Sequence, residues 1–206
     1  MRILRISILA FLVLATGLIT LGMGQEQDQQ PNSIQSWWEK GDVFFIQGKY
    51  DEALQVFEDS IRLNPKFDTA WNDKGLILNG QGKYDEAIEA LNEAINLNPQ
   101  NSMAWGNKGL ALNNLGRYDE AIQALDKAIS LDSNNAAALN NKGLAFGGQA
   151  KYEEAIQAFD EAIRLASNDS EIATAWNNKG HALEALGRTS EADAAYAKAR
   201  ELGYSA

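Results

Sequence analysis

"AWNDKGLILNGQGKYDEAIEALNEAINLNPQ", residues 70–100, is followed by "AWGNKGLALNNLGRYDEAIQALDKAISLDSN", residues 104–134. Both carry a Trp, a Gly four residues later, a Tyr-Asp-Glu-Ala run and a closing apolar-polar stop. The spacing extends along the chain. Gly41, Gly75, Gly109 and Gly143 are 34 residues apart, and Gly180 follows after 37. Trp37, Trp71, Trp105, Leu139 and Trp176 precede those glycines by four. Ala53, Ala87, Ala121, Ala155 and Ala192 follow them by twelve, and Phe57, Leu91, Leu125, Phe159 and Tyr196 by sixteen. Self-similarity at a fixed period predicts a solenoid. The fifth copy is late because "LASNDSEIATAW" is three residues longer than "LDSNNAAAL". That insertion is expected to bend the stack or bulge locally.

Each copy reads as two helices. Trp71, Gly75 and Leu78 fall on one face of the first. The glycines of "GQGKY" break it. Asp85 and Glu86 open the second helix, where negative charge suits the helix N-terminus. Ala87, Leu91 and Ala94 again share a face, and Pro99 stops the helix. Gly and Ala at fixed places predict close helix crossings, with the neighbouring large side chain filling the space beside them.

These residues closely resemble the tetratricopeptide repeat (TPR) family, whose pattern W-x2-[L]-G-x2-[large]…A-x3-F…A…P is met in five copies over residues 34–206. The resemblance implies an all-α superhelical solenoid of antiparallel helix pairs. The expected organisation is residues 1–24 as a targeting segment, 25–33 as a polar linker and 34–206 as the TPR domain. Its repeats would be approximately 34–67, 68–101, 102–135, 136–172 and 173–206. There are departures: Lys40, Lys74, Lys108, Lys142 and Lys179 stand where the family often has Leu, Ser133 and Ser167 replace the terminal Pro, and Thr189 replaces the turn Tyr. The chain stops just after the last predicted helix, with no obvious cover for Tyr196 and Leu202. The alternatives there are a soluble frayed end or end-to-end association with a second copy.

The net charge is −10 on 206 residues. Arg2, Arg5, Glu26 and Asp28 cancel within the first 30 residues, so the whole excess lies beyond them. A body this acidic argues against nucleic acid, which needs a basic face to neutralise phosphates. It favours long-range attraction to basic partners. With no Cys and with His181 as the single His, catalytic triads, His relays and Cys-based metal sites have almost no raw material. Adjacent carboxylates such as Asp51-Glu52 and Glu153-Glu154 diverge by about 100° on a helix and do not face each other across a substrate. No phosphate-binding Gly loop and no nucleophile elbow occur. The expectation is a non-catalytic protein with no cofactor and no metal.

"MRILRISILAFLVLATGLITLGMG", residues 1–24, starts with Arg2 and Arg5 and runs uncharged from Ile6 to Gly24. This is the layout of a secretory signal with a small-residue exit. It is also just long enough for an uncleaved membrane anchor through residues 6–24. Both alternatives put the rest of the chain outside the cytoplasm, either secreted or tethered to the cytoplasmic membrane.

Family resemblance implies that the first helices line a concave side. On that face, helix geometry sets the residues one, five and eight after the Trp position: Trp38, Asn72, Gly106, Asn140 and Asn177; Asp42, Leu76, Leu110, Leu144 and His181; Phe45, Asn79, Asn113, Gly147 and Glu184. Beside them, two after the Trp, come Glu39, Asp73, Asn107, Asn141 and Asn178. The candidate peptide-binding groove is therefore Trp38, Asn72, Leu76, Asn79, Asn107, Leu110, Asn113, Asn140, Asn141, Leu144, Asn177, Asn178 and His181. An Asn amide offers one acceptor and two donors, matching the C=O and N–H of a peptide unit. Asn107, Asn141 and Asn178 are similar in repeat position to the asparagine ladder of O-linked N-acetylglucosamine transferases. The other reading of these asparagines is solvation alone. The carboxylate clamp of chaperone-binding TPRs is not matched, since its Lys position holds Trp38, Asn72, Gly106, Asn140 and Asn177. The repeated Lys lies on the far side of the helix and is assigned to solvated packing. The expected function is a scaffold binding a peptide or protein segment outside the cytoplasm. The alternative is a self-associating assembly factor that uses its C-terminal end.

Overall fold

The computed structural model describes residues 34–205, with side chains from residue 39 onward. The expected targeting segment and linker, and the side chains of Trp37 and Trp38, lie outside the described residues. Ten helices follow one another among the described residues: α1 Ile34–Ile46, α2 Tyr50–Leu63, α3 Asp68–Gly80, α4 Tyr84–Leu97, α5 Ser102–Asn114, α6 Tyr118–Leu131, α7 Ala136–Gly148, α8 Tyr152–Leu165, α9 Asp169–Ala185 and α10 Thr189–Glu201. Each odd helix pairs with the even helix after it, and each even helix also packs on the next odd helix. This is the TPR solenoid of antiparallel helix pairs, one pair per repeat.

The two helices of a pair meet through the Gly notch. A Cβ built on Gly143 would lie 2.5 Å from Cε1 of Phe159, and one on Gly75 would lie 2.5 Å from Cγ of Leu91. Only a residue without a side chain lets the ring or Leu cross the first helix there. Leu91, Leu125 and Phe159 are almost completely buried as a result. Ala53, Ala87, Ala121 and Ala155 are each fully buried at the start of the second helix, where a larger side chain would push the pair apart.

The turn inside each pair is a left-handed C-terminal cap. Gly48, Gly82, Gly116 and Gly187 have φ of 73°, 77°, 76° and 73°. The next N–H reaches back to the last turn, as Lys83 N does to Leu78 O at 2.9 Å and Arg117 N to Leu112 O at 2.9 Å. In the fourth repeat the same position is Ala150, held at φ 58°. A Cβ in this region costs about 1 kcal/mol. Ala150→Gly is therefore expected to stabilise the protein by about that amount in urea denaturation. A neutral or destabilising result would show that the turn does not strain the alanine.

The three-residue insertion neither bulges nor breaks the chain. It is absorbed as about one extra helical turn: α9 has 17 residues against 13 in α3, α5 and α7. Asn168 caps the extension by accepting from Glu171 N at 3.0 Å. The same device opens two other first helices, with Asn101 accepting from Ala104 N at 3.1 Å and Asn135 from Ala138 N at 2.8 Å.

At the far end, Gly203 adopts φ 91° and Tyr204 N bonds back to Ala199 O at 3.0 Å. This turns the chain so that Tyr204 Oη accepts from Asn177 Nδ2 at 3.2 Å. The end expected to lack any cover thus carries Tyr204 folded back onto α9.

Candidate functional site

The odd helices form the inner side of the stack. Successive odd helices pack on one another, α3 on α5, α5 on α7 and α7 on α9, whereas the even helices pack chiefly on their odd neighbours. A ribbon curves toward the side whose elements come closest together.

Four amide contacts stitch this side across repeats. Asn107 Nδ2 donates to Asn72 Oδ1 at 3.0 Å, Asn114 Nδ2 to Asn79 Oδ1 at 3.0 Å, and Asn178 Nδ2 to Asn140 Oδ1 at 3.0 Å. Asn113 Nδ2 donates to the carbonyl of Asn141 at 2.7 Å. Asn72 and Asn79 are 4% and 8% exposed, and Asn72 also donates to Asp73 Oδ1 at 3.0 Å. Both asparagines therefore face the neighbouring helix rather than open solvent. Their amides are structural, because a buried amide needs partners. Asn113 Oδ1 is buried without a partner.

The other candidates keep a free surface. Leu76 and Leu110 are half-buried, and Leu144 is 40% exposed. Asn107, Asn140, Asn141, Asn177 and Asn178 are half-buried, and His181 is exposed. The Asn141 side chain makes no hydrogen bond within the described residues. Where α9 overhangs with its extra turn, a cavity of about 190 Å³ opens beside Asn140 and Asn141, floored by Ala136, Ala162 and Ala166.

The last repeat closes this side with polar groups in place of leucine and glycine. The Tyr196 ring occupies the Gly180 notch, and its hydroxyl donates to Glu184 Oε2 at 2.8 Å. The Tyr196 hydroxyl oxygen also lies 2.9 Å from His181 Nδ1. Burial of the phenol, and then its bond to the Glu184 carboxylate, push the Tyr196 hydroxyl up to about 12. Position by position, Tyr196 corresponds to Phe159 and Leu125, so this hydroxyl has no counterpart in those repeats.

The repeated lysine does more than solvate the outside. Lys74 reaches Glu58 at 2.9 Å, Lys142 reaches Asp126 at 2.6 Å and Lys179 reaches Asp160 at 2.5 Å, in each case from a first helix to the second helix of the preceding repeat. Their ammonium groups also lie over ring faces, Lys74 over Trp71 at 5.8 Å and Lys179 over Trp176 at 5.0 Å. Lys108 is over Trp105 at 5.4 Å, but Asn92 stands where its acid would be. Burial pulls the Lys108 ammonium below the usual lysine range. The signal for these pairs is the acid at Glu58, Asp126 and Asp160, in the second helix of one repeat and 16 residues before the lysine of the next, or 19 across the insertion. Among the described residues, no helix is long and apolar enough to cross a membrane, and no group of ligating side chains converges on a metal position.

The family of the Cilia and flagella-associated protein 70 C-terminal domain matches residues 23–206. No curated protein matches the chain significantly. Among solved structures, Cut9 of the APC/C hetero-tetramer Cut9-Hcn1 is 26% identical, with a TM-score of 0.78, over 85% of this chain and 35% of that one. TTC0263, a TPR protein of Thermus thermophilus, is 21% identical, with a TM-score of 0.73, over 83% and 92%. MamA from Desulfovibrio magneticus RS-1 is 22% identical, with a TM-score of 0.69, over 84% and 96%. The last two show the fold alone. The repeat architecture and the family together support a protein-interaction scaffold.

Proposed function

This chain belongs to the TPR proteins, in the family of the Cilia and flagella-associated protein 70 C-terminal domain, and from that premise we propose that its odd-helix side binds an extended segment of a partner protein outside the cytoplasm. The observation that carries this reading is the row Leu76, Leu110 and Leu144, one in each of the three central repeats and incompletely buried although the leucines at the Gly notch are fully covered. Beside the row, Asn141 has its whole amide unspent, and the oxygens of Asn107 and Asn178 accept no bond within the described residues. An extended segment would lay apolar side chains along the leucines and offer its backbone to the amides. Asn72 and Asn79 hold the helices in register beneath it. The placement outside the cytoplasm is supported by Arg2 and Arg5 ahead of the uncharged run from Ile6 to Gly24.

The test is crosslinking and pull-down from the membrane fraction with the full chain, compared with a Leu110→Glu, Leu144→Glu, Asn141→Ala variant. Captured partners are expected to fall at least about tenfold, the equivalent of about 1.4 kcal/mol, with thermal unfolding unchanged. Equal capture by a folded variant would remove this face from the function. The mass of the N-terminus of the recovered protein separates cleavage from retention of residues 1–24. Recovery only in the cytoplasmic fraction would overturn the placement.

A further inference from the structure

On the opposite side of the stack, a cleft of about 650 Å³ lies between α2, α3 and α4. Its floor is apolar, with Leu54 and Trp71 half-buried and Leu78 4% exposed. One wall is α4, which lines the cleft with Glu86, Glu89 and Glu93. None of these three carboxylates makes a hydrogen bond or an ion pair within the described residues. Of the two lysines at the cleft, Lys74 is already paired with Glu58. That leaves Lys83 as the one base lining the cleft without a carboxylate partner among the described residues.

At Glu89 and Glu93 the sister positions show a departure from the repeat. Glu89 corresponds to Gln123, Gln157 and Ala194, and Glu93 to Lys127, Glu161 and Lys198. Glu161 is neutralised by Arg164 at 3.3 Å. Glu86 corresponds to Glu52, Glu120, Glu154 and Glu191, of which Glu120 and Glu191 are gripped by Arg117 and Arg188 at 2.5 Å each. Lys83, like Lys49 and Lys151 in the first and fourth repeats, stands in place of those arginines and lacks their fork, so Glu86 is left open. Among the described residues, only α4 presents three uncompensated carboxylates above an apolar floor.

We propose that this cleft docks a basic amphipathic helix of a partner protein, its apolar side chains on Leu54, Trp71 and Leu78 and its lysines or arginines on Glu86, Glu89 and Glu93. The carboxylates sit at i, i+3 and i+7 of α4 and so span about 10 Å at the rise of a helix. A helix lying alongside repeats the same spacing and meets all three, with anchors of the i, i+3, i+7 kind. Charge selects the occupant. An anionic lipid surface or a nucleic acid would be repelled by this wall, and so, over long range, would a second copy of a chain with net charge −10.

The test uses the full chain and a synthetic peptide of about 16 residues, Leu on one helical face and Lys beside it, titrated by calorimetry at about 0.1 M salt. The Glu86→Gln, Glu89→Gln, Glu93→Gln variant is expected to bind it at least about tenfold more weakly. A variant with the same loss of charge on α8, Glu153→Gln, Glu154→Gln, Glu161→Gln, is expected to change affinity by less than about twofold. A peptide with Ser for every Leu should bind at least about tenfold more weakly than the parent. Equal loss in both triple variants would reduce the effect to net charge and overturn the proposal. So would an absence of peptide binding, or binding to phosphatidylglycerol vesicles in place of the peptide. The odd-helix variant Leu110→Glu, Leu144→Glu should bind the peptide like the parent chain, so failure here and failure of the inner-face reading are separate results.

Discussion

Phe159→Ala is expected to remove about 3–5 kcal/mol of stability, the usual cost of emptying a filled aromatic site. Phe159 is 2% exposed and its ring lies in the notch that Gly143 leaves in α7. Gly143→Ala alone should cost about 1–3 kcal/mol by overpacking, since the new Cβ would come within 2.5 Å of the ring and the ring cannot move away from a close-packed interface. The decisive result is the combination. With the ring gone the notch has room, and Ala is the better helix former by about 1 kcal/mol. Gly143→Ala is therefore expected to change sign and become neutral or stabilising in the Phe159→Ala background. Urea denaturation of the four proteins checks this as a double-mutant cycle. Additive effects would show that the glycine is there for some reason other than the crossing. In a repeat array each unit contacts only its neighbours. Hydrogen exchange should accordingly locate the Phe159→Ala loss in α7 through α10 more than in α2 and α3.

The second large effect is at the amide seam. Asn72→Asp is expected to destabilise the protein by about 3 kcal/mol at neutral pH. The side chain is 4% exposed and touches the Asp73 carboxylate, so a charge placed there is both desolvated and next to a like charge. Both effects raise the folded-state pKa of the new carboxyl above its unfolded value. The penalty is then absent at pH values below the unfolded pKa, grows as pH rises through it, and levels off once the raised folded pKa is passed. Urea midpoints measured against the parent chain between acid and neutral pH should show this divergence. A difference that does not depend on pH would mean that the amide seam has opened and admitted water.

Of these two sites, the role of the first could be read in advance and that of the second could not. The Gly notch was readable because it repeats. Gly41, Gly75, Gly109, Gly143 and Gly180 keep their offset to a large side chain sixteen residues on, and a glycine at constant spacing in a helix implies a crossing. The 100° period set Asn72 on the inner face of its helix, and that placement left two outcomes open. A residue on that side touches either a bound segment or the next first helix. The packing of successive odd helices on one another brings Asn107 within 3.0 Å of Asn72. Asn141, on the same side, is left with a free amide. The lysines were read as solvated because helix geometry points them outward. Their acids belong to the previous repeat, and single-helix geometry does not include that neighbour.

By itself the sequence determined the period, the helix pairs, the turn glycines and the closeness of each crossing, because these rest on interactions within one hairpin of about 34 residues, repeated until the pattern is unmistakable. Only the tertiary structure decided which amides are spent between repeats, that the insertion lengthens α9 by a turn, that Tyr204 folds back on Asn177, and that α4 presents open carboxylates above Trp71. Those depend on the distance and angle between one hairpin and the next. That geometry is the sum of many side-chain volumes at the interface, and no single residue spacing records it.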